Sequence, residues 1–174
     1  MDQTASKTAG NEPVAAGNGM TAERISDRET MVTRSFDAPA RLLFAAWSKA
    51  ELFREWWVPA SYGMTLLSCE MDVRVGGGYR LVFKHPAAGE PMAFFGRYID
   101  VVPDTRISWT NEESENGAVT TVTFTEQDGR TLVTIHDLYP SKEVLDAEIE
   151  GGATGGMGET LDQLAAFVAT MAAA

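Results

Sequence analysis

Cysteine occurs once in this chain of 174 residues, at Cys69, and histidine only twice, at His85 and His136. One cysteine excludes an internal disulfide framework, and two isolated histidines offer no metal-ligand spacing, so neither a metal nor another cofactor is expected. Basic residues are scarce: 14 Lys and Arg stand against 25 Asp and Glu, a formal net charge of −11. Phosphate backbones are bound by clustered basic faces that displace counterions, so nucleic acid is not an expected partner. Long apolar runs are also missing. The stretch Leu42 to Trp47, the longest near the start of the body, falls far short of the roughly 20 residues that cross a bilayer, so no membrane span is expected. Residues 1–20 lack a basic segment followed by an apolar one; no secretory signal is read there, and a cytoplasmic location is expected.

What is present suffices for one folded domain. Hydrophobic residues make up 44% of the chain, and a body of roughly 150 residues buries about 68–70% of the surface its unfolded chain exposes. Residues 1–28 are poor in aromatic and β-branched residues and rich in Ala, Gly, Thr, Asn and Glu, a composition read as a disordered N-terminal tail. Residues 29–174 are then a single domain.

Within that domain Thr30 to Phe36 is β-rich and predicts a first strand. Pro39 suits a first helical turn, and Leu42, Leu43, Ala46 and Trp47 recur at helical spacing, predicting a helix over about 39–47. Ser48 and Glu51 have the spacing of a capping box and predict a second short helix over about 49–55. Strands are predicted over Met64 to Val73, Tyr79 to His85, Met92 to Val101, Arg106 to Asn111, Ala118 to Glu126 and Thr131 to Leu138, separated by short turns that include Asp128-Gly129. Short connections require antiparallel neighbours, so these strands form a meander. Ser141 is placed to cap a C-terminal helix whose apolar stripe runs through Met157, Leu161, Leu164, Ala165 and Val168. That stripe needs a partner, and the meander is the one surface large enough. The fold class is α+β: a curved antiparallel sheet gripping a long C-terminal helix, with two short helices after the first strand. The run Gly151-Gly152-Ala153-Thr154-Gly155-Gly156-Met157-Gly158 opposes helix at about 1 kcal/mol per glycine, which reads either as a break between two helical pieces or as a close backbone approach.

Chemistry-bearing residues are few. His136 shares a strand face with Leu132, Thr134 and Leu138, and an inward Leu132 would turn His136 inward as well, while Asp137 must point the other way. Gly76-Gly77-Gly78 leads into a strand, where a phosphate loop would lead into a helix, so it is a turn. No Gly-x-Ser-x-Gly elbow occurs, and no catalytic residue is assigned. Aromatic residues form the stronger signal. Between a curved sheet and a helix, aromatic walls with polar groups such as His136, Thr134 and Arg97 describe an apolar ligand pocket, with Trp57, Tyr79, Phe83, Phe95, Trp109, His136, Met157 and Leu161 as candidate ligand-binding residues.

Phe36-Asp37-Ala38-Pro39, Leu43-Phe44-Ala45-Ala46-Trp47, Glu51-Leu52-Phe53-Arg54-Glu55-Trp56-Trp57, Asp72-Val73-Arg74-Val75-Gly76-Gly77, Gly96-Arg97-Tyr98, Val102-Pro103-Asp104-Thr105-Arg106-Ile107 and Gly158-Glu159-Thr160-Leu161-Asp162-Gln163-Leu164 follow one another in an order that resembles the SRPBCC family of the START superfamily. The branch it resembles is named for the activator of the heat-shock protein 90 ATPase (AHSA-like). The resemblance covers about residues 30–168 and implies the helix-grip fold of START and birch-pollen-allergen-like proteins, in which the long helix closes a cavity over the sheet. Members commonly carry an aromatic residue where this chain has Met157, a softer side chain that implies a larger or differently shaped pocket. Three functions follow as expectations: binding of a hydrophobic, lipid-like or polycyclic small molecule; a regulatory or stress-response role through a chaperone partner; and a cyclase-like or hydrolase-like activity on a polyketide-like substrate. Monomer and homodimer both stay open.

Overall fold

The computed structural model describes residues 12–17, 19–152 and 156–173. Nine strands form one antiparallel sheet: β1 (Glu12–Gly17), β2 (Met20–Arg24), β3 (Glu29–Phe36), β4 (Thr65–Met71), β5 (Gly78–Lys84), β6 (Met92–Val102), β7 (Arg106–Thr110), β8 (Val119–Gln127) and β9 (Arg130–Leu138). Their spatial order is β1-β2-β3-β9-β8-β7-β6-β5-β4. Among the described residues four α-helices accompany the sheet: α1 (Ala40–Ser48), α2 (Ala50–Phe53), α3 (Lys142–Glu150) and α4 (Met157–Ala173). No helix among the described residues is long and apolar enough to cross a membrane.

The meander and the C-terminal helical cover follow the sequence reading, and two local features depart from it. Residues 12–17 and 20–24, expected in a disordered tail, form β1 and β2, and Met20 and Ala22 are 5% and 1% exposed. The sequence carries the cause: Gly17 pairs with Met20, and Asn18-Gly19, with Gly19 at φ +77°, is the dipeptide that two-residue hairpins favour. Residues 1–11 lie outside the described residues. The Ser48–Glu51 capping box does not form. Ser48 is the last residue of α1 and Lys49 takes the extended N-cap position of α2 without a side-chain cap, so the Ser48 backbone is already committed to the preceding helix. The C-terminal helix is two helices. Ser141 Oγ accepts from Val144 N–H at 3.2 Å to cap α3, and α3 ends at Glu150 with Gly151 as its C-cap; α4 begins at Met157. The helix break expected from the glycine run thus falls there, although residues 153–155 of that run lie outside the described residues.

Alternation along the strands decides which face is inner. Val32 and Phe36 of β3, Ile107 of β7, Val122 and Phe124 of β8, and Val133 and Ile135 of β9 are all buried and all pack in one core. Leu161, Leu164 and Val168 of α4 press on the same core. Two ion pairs tie the helices to the inner face: Arg24 to Asp146 of α3 and Arg34 to Asp162 of α4, each at 2.6 Å. Trp56, fully buried, donates its indole N–H to Ala46 O at 3.1 Å and stacks edge-on with Trp47 at 4.6 Å between ring centres. That aromatic joint fixes α1 and α2 at one end of the sheet, beside the opening between β5, β6 and α4.

Candidate functional site: a two-chambered cavity

Between the inner face and the helices lies an apolar cavity of about 380 Å³, a size usual for small-molecule sites. Tyr79, Leu81 and Phe83 of β5 and Met92, Phe94 and Tyr98 of β6 supply the sheet side. Trp47 and Phe53 supply one end, and Met157 and Thr160 of α4 the roof. Its rim is the segment Trp57 to Tyr62, which ends in a short 3-10 turn, Ala60–Tyr62. Polar side chains of α4 hold that rim. Gln163 Nε2 donates to both Trp56 O and Val58 O at 2.8 Å, and its Oε1 accepts from Ala60 N–H at 2.8 Å. Glu159 accepts from Ser61 N–H at 2.9 Å and from the Ser61 hydroxyl, and these bonds, the hydroxyl's first, hold its carboxyl below the ordinary carboxylate range. Gly156 lies against the rim, where an added Cβ would stand 2.4 Å from Oη of the half-exposed Tyr62 and would require that ring to swing aside.

A second chamber of about 270 Å³ adjoins the first. Trp47, Trp57, Trp109, Asn111 and Met157 line both. Its other walls are more polar: Thr120 of β8, Asp137 of β9, Tyr139, Glu148 of α3, and Glu113, Ser114, Asn116, Gly117 and Ala118 of the β7–β8 connection. A hydrogen-bonded seam runs along the sheet from one chamber to the other. Tyr79 Oη donates to Thr110 O at 2.7 Å and lies 3.2 Å from Asn111 Oδ1. Asn111 Nδ2 donates to Ala118 O at 2.6 Å and to Thr120 Oγ1 at 3.2 Å, and Thr120 Oγ1 donates to Asp137 Oδ1 at 2.6 Å. Burial pushes the Asp137 carboxyl above its ordinary range; the Thr120 bond and the positive potential of His136 oppose that shift, and Glu148 adds to it. Burial likewise raises the Tyr79 and Tyr139 phenols.

Of the eight residues singled out from sequence, the structure places Trp57, Tyr79, Phe83, Trp109 and Met157 around the first chamber. Three lie elsewhere. Phe95 is 42% exposed on the outer face, where it pairs with Arg80, and its neighbour Phe94 takes the inner position, because successive residues of β6 face opposite ways. His136 shares a face with Leu132 as expected, but Leu132 is 43% exposed and the face is the outer one; His136 Nε2 lies 2.8 Å from Glu29 Oε1. Thr134 stands on that same outer face, and Arg97 is exposed and paired with Glu112 at 3.1 Å. Leu161 is buried in the main core, away from both chambers. Sequence reasoning missed Asp137 and Asn111, the polar members of the seam. For Asp137 the signal was available: Val133 and Ile135 at the same parity make the odd positions of β9 its buried face. Among the described residues no three His, Cys, Asp or Glu side chains come together as a metal cage.

A curved antiparallel sheet, a helical cover and an apolar chamber between them define a helix-grip protein. Residues 37–169 match the family described as Activator of Hsp90 ATPase homolog 1-like protein, and the chain belongs to that family. Solved structures agree on the fold. A protein from Rhodobacter sphaeroides is 22% identical over 87% of this chain and 98% of its own, with a TM-score of 0.79. One from Nitrosomonas europaea is 20% identical over 87% and 100%, with a TM-score of 0.77, and one from Chromobacterium violaceum is 27% identical over 82% and 98%, with a TM-score of 0.69. Comparison with curated proteins finds no match.

Proposed function

We propose that this protein binds an apolar small molecule in the cavity between the sheet and α4. The observation that carries the reading is the first chamber itself: about 380 Å³ walled by aromatic, Met and Leu side chains, with few polar groups. Apolar walls with a small number of placed polar atoms are the usual composition of a ligand site. Met157 in the roof is a flexible side chain that can yield to ligands of different shape. The enzymatic alternative is weakened by the position of His136, whose ring lies on the opposite face of the sheet from the cavity. A chaperone partner rests on the family description alone, and co-purification with the cognate chaperone tests it separately.

Native and denaturing mass spectra of gently purified protein should differ by a small molecule released on denaturation. Titration with N-phenyl-1-naphthylamine, a neutral apolar fluorophore, should give saturable binding that Met157→Trp weakens about tenfold or more, equivalent to about 1.4 kcal/mol, because the indole fills the chamber. A bare mass together with no saturable fluorescence change would overturn the reading.

A further inference from the structure

The second chamber has a charge character that the first lacks. Its described lining includes three carboxyl groups, Glu113, Asp137 and Glu148, and contains no Lys, Arg or His side chain. Asp137 Oδ1 is engaged by Thr120, and no hydrogen bond to a protein group is formed by Oδ2 among the described residues. Trp47, Trp57 and Trp109 line both chambers, and indole faces attract cations. Asp137 is the deepest of the three carboxyl groups: it is half-buried, whereas Glu113 and Glu148 are exposed.

We propose that the second chamber is the head-group site for the same ligand and takes an amine: the ligand is an amphiphile whose apolar body fills the first chamber and whose cationic nitrogen is held against Asp137. This rests on the apolar-ligand reading above and specifies its substrate class. A carboxylate head group, as in a free fatty acid, would meet the half-buried Asp137 and the exposed Glu113 and Glu148 with no cation in the described lining to compensate, and like charges repel. An ammonium meets the opposite situation, with a charge-assisted hydrogen bond to Asp137 and indole faces alongside.

The test is calorimetric titration of the full chain with decylamine, 1-decanol and decanoate at neutral pH, below their aggregation concentrations, repeated on Asp137→Asn and Glu148→Gln. The three probes share an apolar tail and differ in head group. Decylamine is expected to bind at least tenfold more tightly than decanol, and decanoate more weakly than either. In Asp137→Asn the amine-to-alcohol preference is expected to fall to within about threefold, with Glu148→Gln causing a smaller loss; thermal melts establish that each variant is folded. Decanol binding as tightly as decylamine, or a preference unaltered in both folded variants, would overturn the amine assignment while leaving the apolar cavity standing. Absence of binding by all three probes would overturn both.

Discussion

Gln163 ties the roof of the cavity to its rim, and replacing it with Met keeps the length of the side chain while removing every polar contact. Three hydrogen bonds are lost: two donated to Trp56 O and Val58 O and one accepted from Ala60 N–H. Each is worth about 0.5–1.5 kcal/mol net. The two carbonyls are partly buried and exchange their donor for an apolar group, whereas Ala60 N–H is open to water, so a total of about 2–3 kcal/mol is expected. In a domain of this length each kcal/mol moves the melting temperature by about 2–4 °C, so Gln163→Met should melt about 5–10 °C below wild type. Gln163→Glu sharpens the reasoning: it retains an acceptor for Ala60 but sets a carboxylate against two carbonyl oxygens, so it should be at least as destabilising at neutral pH and partly recover on acidification. Scanning calorimetry, with urea denaturation as a second measure, provides the assay. A drop of less than about 2 °C in Gln163→Met, or a Glu variant that melts above the Met variant at neutral pH, would refute the assignment of this side chain as the clamp.

Further outcomes are expected elsewhere. Gly96→Ala should unfold the domain or lower its melting temperature severely, read by circular dichroism, because a Cβ at Gly96 would stand 1.9 Å from Thr110 O, a backbone atom that can yield only by separating β6 from β7. Asp137→Asn should raise stability at neutral pH. The folded carboxyl binds its proton more tightly than the unfolded one, so the stability it contributes is present below the unfolded pKa and lost as pH rises through the folded value; the gain from Asn, measured by urea titration across pH 4–8, should vanish toward the acid end. Glu148, Glu113, Tyr139 and His136 are the titratable neighbours in that comparison. Glu29→Gln should act in the opposite sense. Its carboxylate is held low by the Ser26 hydroxyl and by His136, so its contribution is present at neutral pH and lost on acidification through the folded value, and the variant should show a shallower acid-unfolding slope.

The strands from β4 to β9 were legible because turn chemistry punctuates them at short intervals, as at Asp128-Gly129 between β8 and β9. β1 and β2 were hidden by composition: averaging Ala, Gly and Asn over 28 residues conceals a local Asn18-Gly19 hairpin signal and the alternating Met20 and Ala22. The capping box failed because a pattern of four residues says nothing of whether its first member is already inside another helix. At the site, residue type was read more easily than orientation. Phe94 and Phe95 are chemically alike and adjacent, and only the parity set by Tyr98 and Gly96 decides which one enters the cavity. The same parity error exchanged His136 for Asp137: histidine draws notice as a chemical group, while the buried partners Val133 and Ile135 identify the face that matters. Asn111, just past the end of β7, owes its role to contacts with Tyr79 and Thr120, which are distant in sequence and have no local signature.

The interruption between α3 and α4 divides the ceiling of the molecule into two panels. Glu148 hangs from the first and Met157 and Thr160 from the second, while Arg24–Asp146 and Arg34–Asp162 bolt each panel to a different strand. A single unbroken rod would carry any displacement at the tail end of a guest straight to its head end. For the amphiphile proposed above, two separately anchored panels would let tail length and head charge be accommodated, and altered by substitution, one at a time.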